Sequence, residues 1–177
     1  TGVTFTPVGD STTAFTGSYD GKTFDIDNVS YNTIVNYVGL FGESSAVLKN
    51  IKVVNASITG LSYVGGIVGN MTGGSLSYSS VTGSVNGTDF IGGAVGAASA
   101  GSITQSWANV NVTGGAGTDN AGGFIGSSQA TITKSYSKAS SVTGINKVGG
   151  FAGEIISSSV TDTYASSSAS GTSKVGG

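Results

Sequence analysis

The hexapeptide Val64-Gly65-Gly66-Ile67-Val68-Gly69 returns along the chain at a nearly constant interval, and no other feature restricts the possible folds as much. Related copies end at Gly42, Gly96, Gly126 and Gly153, and a further beginning, Val175-Gly176-Gly177, stands at the C-terminal end. Final glycines at 42, 69, 96, 126 and 153 give spacings of 27, 27, 30 and 27 residues. A period of this size means one supersecondary unit that buries its apolar face only against its neighbours. One continuous body is expected rather than separate cores.

Three apolar files run down the aligned units. Leu48, Leu76, Ile103, Ile132 and Val160 form the first; Ile58, Val85, Val112, Val142 and Ala169 the second; Leu40, Ile67, Ala94, Phe124 and Phe151 the third. Each lies in a short segment that alternates apolar with Ser, Thr or Asn, the periodicity of strands. Helix is disfavoured by the glycine content, since each internal glycine costs about 1 kcal/mol relative to alanine, and by the missing 3.6-residue period. The expected fold is all-β: a parallel β-helix (β-solenoid) of about six coils of ~27 residues, with three short strands per coil. Coils about 4.8 Å apart would stack to roughly 30 Å around a core made of the three files.

Residues 1–35 differ from the rest, with Pro7, four acids (Asp10, Asp20, Asp25, Asp27) and the aromatics Phe5, Phe15, Tyr19, Phe24 and Tyr31. Asp20-Gly21 carries a hairpin-turn signal. The segment reads as a hairpin-like N-terminal cap that covers the open edge of a solenoid formed by 36–177. Paired glycines in each copy would allow a corner at positive φ and close approach of neighbouring backbones. The three-residue excess before Gly126 falls in the turn-forming run 114–120, an expected enlarged loop.

Composition closes off several functions. All seven cations are lysine, so the bidentate fork that reads phosphate and guanine is missing, and nucleic-acid binding is not expected. Cysteine and histidine are absent, which removes thiol chemistry, disulfides and the commonest general base and metal ligand. No apolar run approaches the ~20 residues that span a bilayer. With no leader at Thr1 and a last copy that stops after its two glycines, the chain reads as a segment of something longer.

The Gly-Leu-Phe-Gly at 39–42, the later GGIVG, GGAVG, GGFIG and GGFAG, and the linking pattern aliphatic-x-x-hydroxyl-aromatic-Ala at 103–108 and 160–165 resemble the GLUG repeat. The lead-in from Phe15 to Ile26 is similar to the segment that often precedes such repeats. The resemblance implies a cell-surface or extracellular setting in large bacterial proteins, among them adhesin-like proteins and the non-catalytic parts of immunoglobulin A metallopeptidases. It implies no catalytic residue.

Candidate sites follow from columns. Glu43 and Glu154 share one, but four coils, about 19 Å, separate them, too far to act as a carboxylate pair on one glycosidic bond. No enzyme is expected, and no cofactor. Asp20, Asp25, Asp27 and Asn28 supply too few oxygens for calcium, so they read as solvated acids and no metal site is assigned. Outward hydroxyl rows include Ser102, Thr104, Thr131, Thr133, Ser159 and Thr161, a candidate ice-binding ladder. Trp107, Tyr136 and Tyr164 stack as a column, either a glycan or partner platform or a packed ladder. The leading expectation is a non-enzymatic extracellular stalk, scaffold or fibre-forming module. Its partners would be other copies or domains of a larger surface protein, glycans or host-surface proteins. The alternative is a ligand-binding solenoid, for glycans or ice.

Overall fold

A computed structural model describes residues 5–117 and 120–176. Thr118 and Asp119 of the expected 114–120 loop, and the last glycine of the C-terminal copy, Gly177, lie outside the described residues.

The chain is an all-β parallel solenoid, without helix among the described residues. One coil serves as the pattern. Strand Ser62–Gly65 approaches the hexapeptide, Val68–Met71 returns from it, a short strand Ser75–Ser77 follows, and a long strand Ser80–Gly87 leads to the next coil. Each strand pairs in parallel with its counterparts one coil away, which builds four ladders along the body. The approach and return ladders have five strands each, the short ladder six, and the long ladder nine, because its strand is split in two at both ends of the body.

Four strands per coil, rather than three, is a correction with a simple cause. The first file lies in the short ladder and the second in the long ladder, in the expected registers. The third lies between two strands. Ile67, Ala94 and Phe124 sit at the tip of a tight arch joining the approach and return strands, linked by Ile67 N–H to Ala94 O at 2.9 Å, Ala94 N–H to Phe124 O at 2.9 Å and Phe124 N–H to Phe151 O at 2.8 Å. An inward residue at the tip has strands on both sides, which one apolar file cannot distinguish from a single strand.

The N-terminal hairpin is also corrected. Ser18–Asp20 pairs in parallel with Val47–Lys49, and Asp25–Asp27 in parallel with Lys52–Val54. These segments form a first coil on the same ladders. Gly21 sits at the corner between them, its N–H bonded to Lys49 O at 3.0 Å. Adjacent coils satisfy the backbone groups that a hairpin would have paired locally.

The core is dry and aliphatic. Leu48, Ile58, Leu76, Val85, Ile103, Val112, Ile132 and Val142 are buried, with Val64, Ile91, Ala121 and Val148 lining it from the approach ladder. A serine column enters it at one corner. Ser79, Ser106 and Ser135 are buried at the corner between the short and long strands. Ser79 Oγ accepts the N–H of Ile51 at 3.1 Å, Ser106 Oγ that of Ser79 at 3.2 Å, and Ser135 Oγ that of Ser106 at 3.3 Å. Each hydroxyl donates to a carbonyl of its own coil, at Ser77, Thr104 and Thr133. This explains Ser106 of the linking pattern at 103–108: it satisfies a corner N–H that no strand reaches.

Candidate functional site

Each repeat unit carries the arch, and its glycines set the arch's width. The paired glycines are not at positive φ, contrary to expectation; that conformation falls on non-glycine corner residues, including Tyr37, Tyr63, Phe90, Lys147 and Lys174 just before the hexapeptide copies. Close approach is what the glycines provide. A Cβ on Gly69 would lie 2.7 Å from Tyr63 O, Gly42 O and Val38 N, and one on Gly96 would lie 2.6 Å from Val64 N and 2.8 Å from Phe90 O. The final glycine of each copy thus lets the return strand press its backbone onto the approach strand.

Side chains flanking that line of contact border a groove. Lys147 Nζ reaches Glu154 Oε2 at 2.9 Å, a link between positions seven residues apart on opposite sides of the arch. The equivalent pairs are Tyr63 with Asn70, Phe90 with Ala97 and Asn120 with Ser127, and all eight residues line one cavity of about 490 Å³. The cavity exists because two successive pairs put small side chains on the return side, Ala97 and Ser127. Asp89, Ser99 and Gln129 complete its polar rim.

Aromatic rings end where the groove widens. Tyr37 stacks on Tyr63 with centroids 4.9 Å apart and Tyr63 on Phe90 at 4.8 Å, interplanar angles 5° and 11°. The next residue in the column is Asn120, as the Ile91–Ala121 pairing requires, so no ring follows Phe90 on that side. Asn120 is 3% exposed, and its Oδ1 has no hydrogen-bond partner among the described residues. The Tyr63 phenol is pushed above its usual pKa, first by burial and then by the neighbouring Tyr37, Asp89 and Glu43.

The residues singled out from sequence are found as follows. Trp107, Tyr136 and Tyr164 do form one column, at 6.0 and 4.9 Å and nearly parallel, with Lys138 Nζ 5.1 Å from the Tyr136 ring centre. Tyr136 is stacked on both of its faces, whereas Tyr164 at the end of the column is 52% exposed. The hydroxyl rows lie on the outer side of the short ladder: Ser102 pairs with Thr131, and Thr104 with Thr133 and through it Thr161. Ser159 immediately precedes Val160–Thr161 and is exposed. Thr133 Oγ1 donates to Thr104 Oγ1 at 3.0 Å, so part of the row is spent internally. Glu43 and Glu154 do share a column, through Asn70, Ala97 and Ser127. Glu43 accepts from Asn70 at 3.1 Å.

The first-coil acids have individual partners. Asp20 accepts from Asn50 at 2.9 Å and from the Lys22 N–H at 3.0 Å; Asp25 pairs with Lys52 at 2.9 Å, and Asp27 accepts from Asn55 at 3.1 Å. The Asn50 amide, then the Lys22 backbone N–H, hold the Asp20 carboxyl well below the usual carboxylate range.

The groove was not identified from sequence. Its one readable signal is the column Tyr37, Tyr63, Phe90, Asn120, Lys147, Lys174, each immediately before a hexapeptide copy.

Comparison with known proteins agrees with this architecture. Residues 60–86, one full coil, match the GLUG motif. The chain is 41% identical over 75 residues to halomucin of Haloquadratum walsbyi (strain DSM 16790 / HBSQ001), a match that covers 39% of this chain and 1% of halomucin. Its fold is similar to that of a Bacteroides ovatus protein provisionally named an immunoglobulin A1 protease. The TM-score is 0.72 at 23% identity, over 84% of this chain and 50% of that one, and the likeness is one of fold. The chain thus spans a small fraction of halomucin and half of the solved protein.

Proposed function

Because a GLUG motif forms a coil of this β-solenoid, we propose that the chain is a non-catalytic structural module of a large extracellular or cell-surface protein, a rigid segment that spaces or presents other domains. The observation that carries this reading is the ladder continuity. Four parallel ladders overlap along the body, each of five or more strands, and backbone hydrogen bonds join successive coils. Such a body resists bending because each coil is held by its neighbours on all sides. Supporting it, halomucin, to which 75 residues of this chain are similar, is far longer than this chain. Each carboxylate of the shared column has a neighbour of its own, Lys147 beside Glu154 and Asn70 beside Glu43, which fits a structural role.

An antibody raised against residues 5–176 tests the setting. On intact, unpermeabilised cells of the source organism, or on its shed material, it should label strongly. Labelling that requires permeabilisation would overturn the proposal.

A further inference from the structure

The arch groove has what a sugar-binding slot requires, and we propose that it binds a neutral saccharide, with one pyranose ring packed on the uncovered face of Phe90. One face of Phe90 is occupied by Tyr63, at 4.8 Å between centroids. The other looks along the solenoid axis towards the Asn120 coil, and the next large side chain in the column, Lys147, is drawn aside by its 2.9 Å bond to Glu154. Two coil steps separate Phe90 from Lys147, about 9.6 Å. Asn120 occupies the intervening step and is itself buried, so a sugar ring would reach Phe90 through the cavity that Phe90, Asn120 and Lys147 line together. Aromatic faces attract the C–H side of a sugar for the same reason that they pack apolar groups, while the sugar rim stays free for hydrogen bonds.

The rim of the slot supplies those bonds. Asp89 and Glu154 accept from hydroxyls, and Gln129 and Asn70 both donate and accept. Asn120 brings a buried carbonyl oxygen with no partner among the described residues. A volume of about 490 Å³ is in the range of small-ligand sites. Charge selects the class of sugar: among the described lining residues two carboxylates stand against one lysine, which disfavours uronic or sialic acids. Peptide capture by strand addition is disfavoured as well, because the approach strands are already paired on both sides, as Asp89–Gly92 is with Ser62–Gly65 and Ala121–Gly122. The site is independent of the Trp107 column, which lies on the long ladder.

The test is titration calorimetry of the whole chain with cellotetraose, laminaritetraose, maltotetraose and mannotetraose, alongside 3′-sialyllactose and an unstructured peptide. At least one neutral tetrasaccharide should bind. Phe90→Ala should weaken it about tenfold or more and Phe90→Tyr should restore it. Ser99→Trp, at an exposed rim position, should block binding while leaving thermal unfolding unchanged, and Trp107→Ala should have no effect on binding. The proposal is overturned by no neutral binding at millimolar sugar, by binding of the acidic sugar or the peptide alone, or by neutral binding that survives both Phe90→Ala and Ser99→Trp.

Discussion

Ser106 Oγ accepts the backbone N–H of Ser79, one coil earlier, at 3.2 Å, while its own proton goes to Thr104 O at 2.9 Å. Ser79 is buried, so removal of this hydroxyl leaves a buried N–H donor without its acceptor. Ser106→Ala should lower stability by about 1–3 kcal/mol in urea unfolding. Ser102→Ala, on the exposed side of the short ladder, should stay within about 0.5 kcal/mol. Equal effects would show that the serine column is not a structural element.

Gly96 and Gly73 separate the two reasons for a glycine here. A Cβ on Gly96 would meet backbone atoms of Gly69, Val64 and Phe90 at 2.5–2.8 Å, and none of these can rotate away. On Gly73 the nearest atom would be Ser45 Cβ at 3.5 Å, an ordinary contact. Gly96→Ala should cost about 1–3 kcal/mol or more through overpacking of the arch. Gly73→Ala should be nearly neutral, and differential scanning calorimetry of the two variants distinguishes them.

Phe124 is fully buried at the arch tip and stacks on Phe151 at 5.1 Å, whereas Phe24 is 75% exposed. Phe124→Ala should therefore cost about 3–5 kcal/mol and Phe24→Ala less than about 0.5 kcal/mol, read from denaturant midpoints. If the two are alike, Phe124 is not part of the core.

Asp20 has a carboxyl pKa lowered by the Asn50 amide and the Lys22 N–H. A lowered folded-state value means that the unfolded chain takes up the proton first as the pH falls. The contribution is complete above the ordinary carboxylate value of about 3.9 and is lost as the pH drops below it towards the folded value. The melting temperatures of wild type and Asp20→Asn should differ at pH 7 and converge in acid, while a constant difference down to pH 2 would contradict the assignment.

Much of the fold was legible because a solenoid repeats its physics. The 27-residue interval sets the coil, and the files headed by Leu48 and Ile58 give two ladders with their registers, since a strand in such a body pairs with the same position one period away. The Trp107–Tyr136–Tyr164 column and the Ser102–Thr131 row could be placed by the same counting. Counting gave no guidance where a local signal competed with a distant partner. Asp20-Gly21 looks like a hairpin turn, yet Asp20 pairs with Lys49, and only the adjacent coil supplies that alternative.

Period, inward files and parallel stacking were thus determined by the amino-acid sequence alone, because they depend on side chains at fixed intervals along it. The arch and its groove were decided by tertiary structure. That Lys147 meets Glu154, and that Phe90 faces a gap beside Ala97, depends on approach and return backbones closing on one another at glycine. Alternation tells which side chains point outward from one strand. Which outward columns become neighbours is set by how closely two strands pack, and that distance is not a property of either strand by itself.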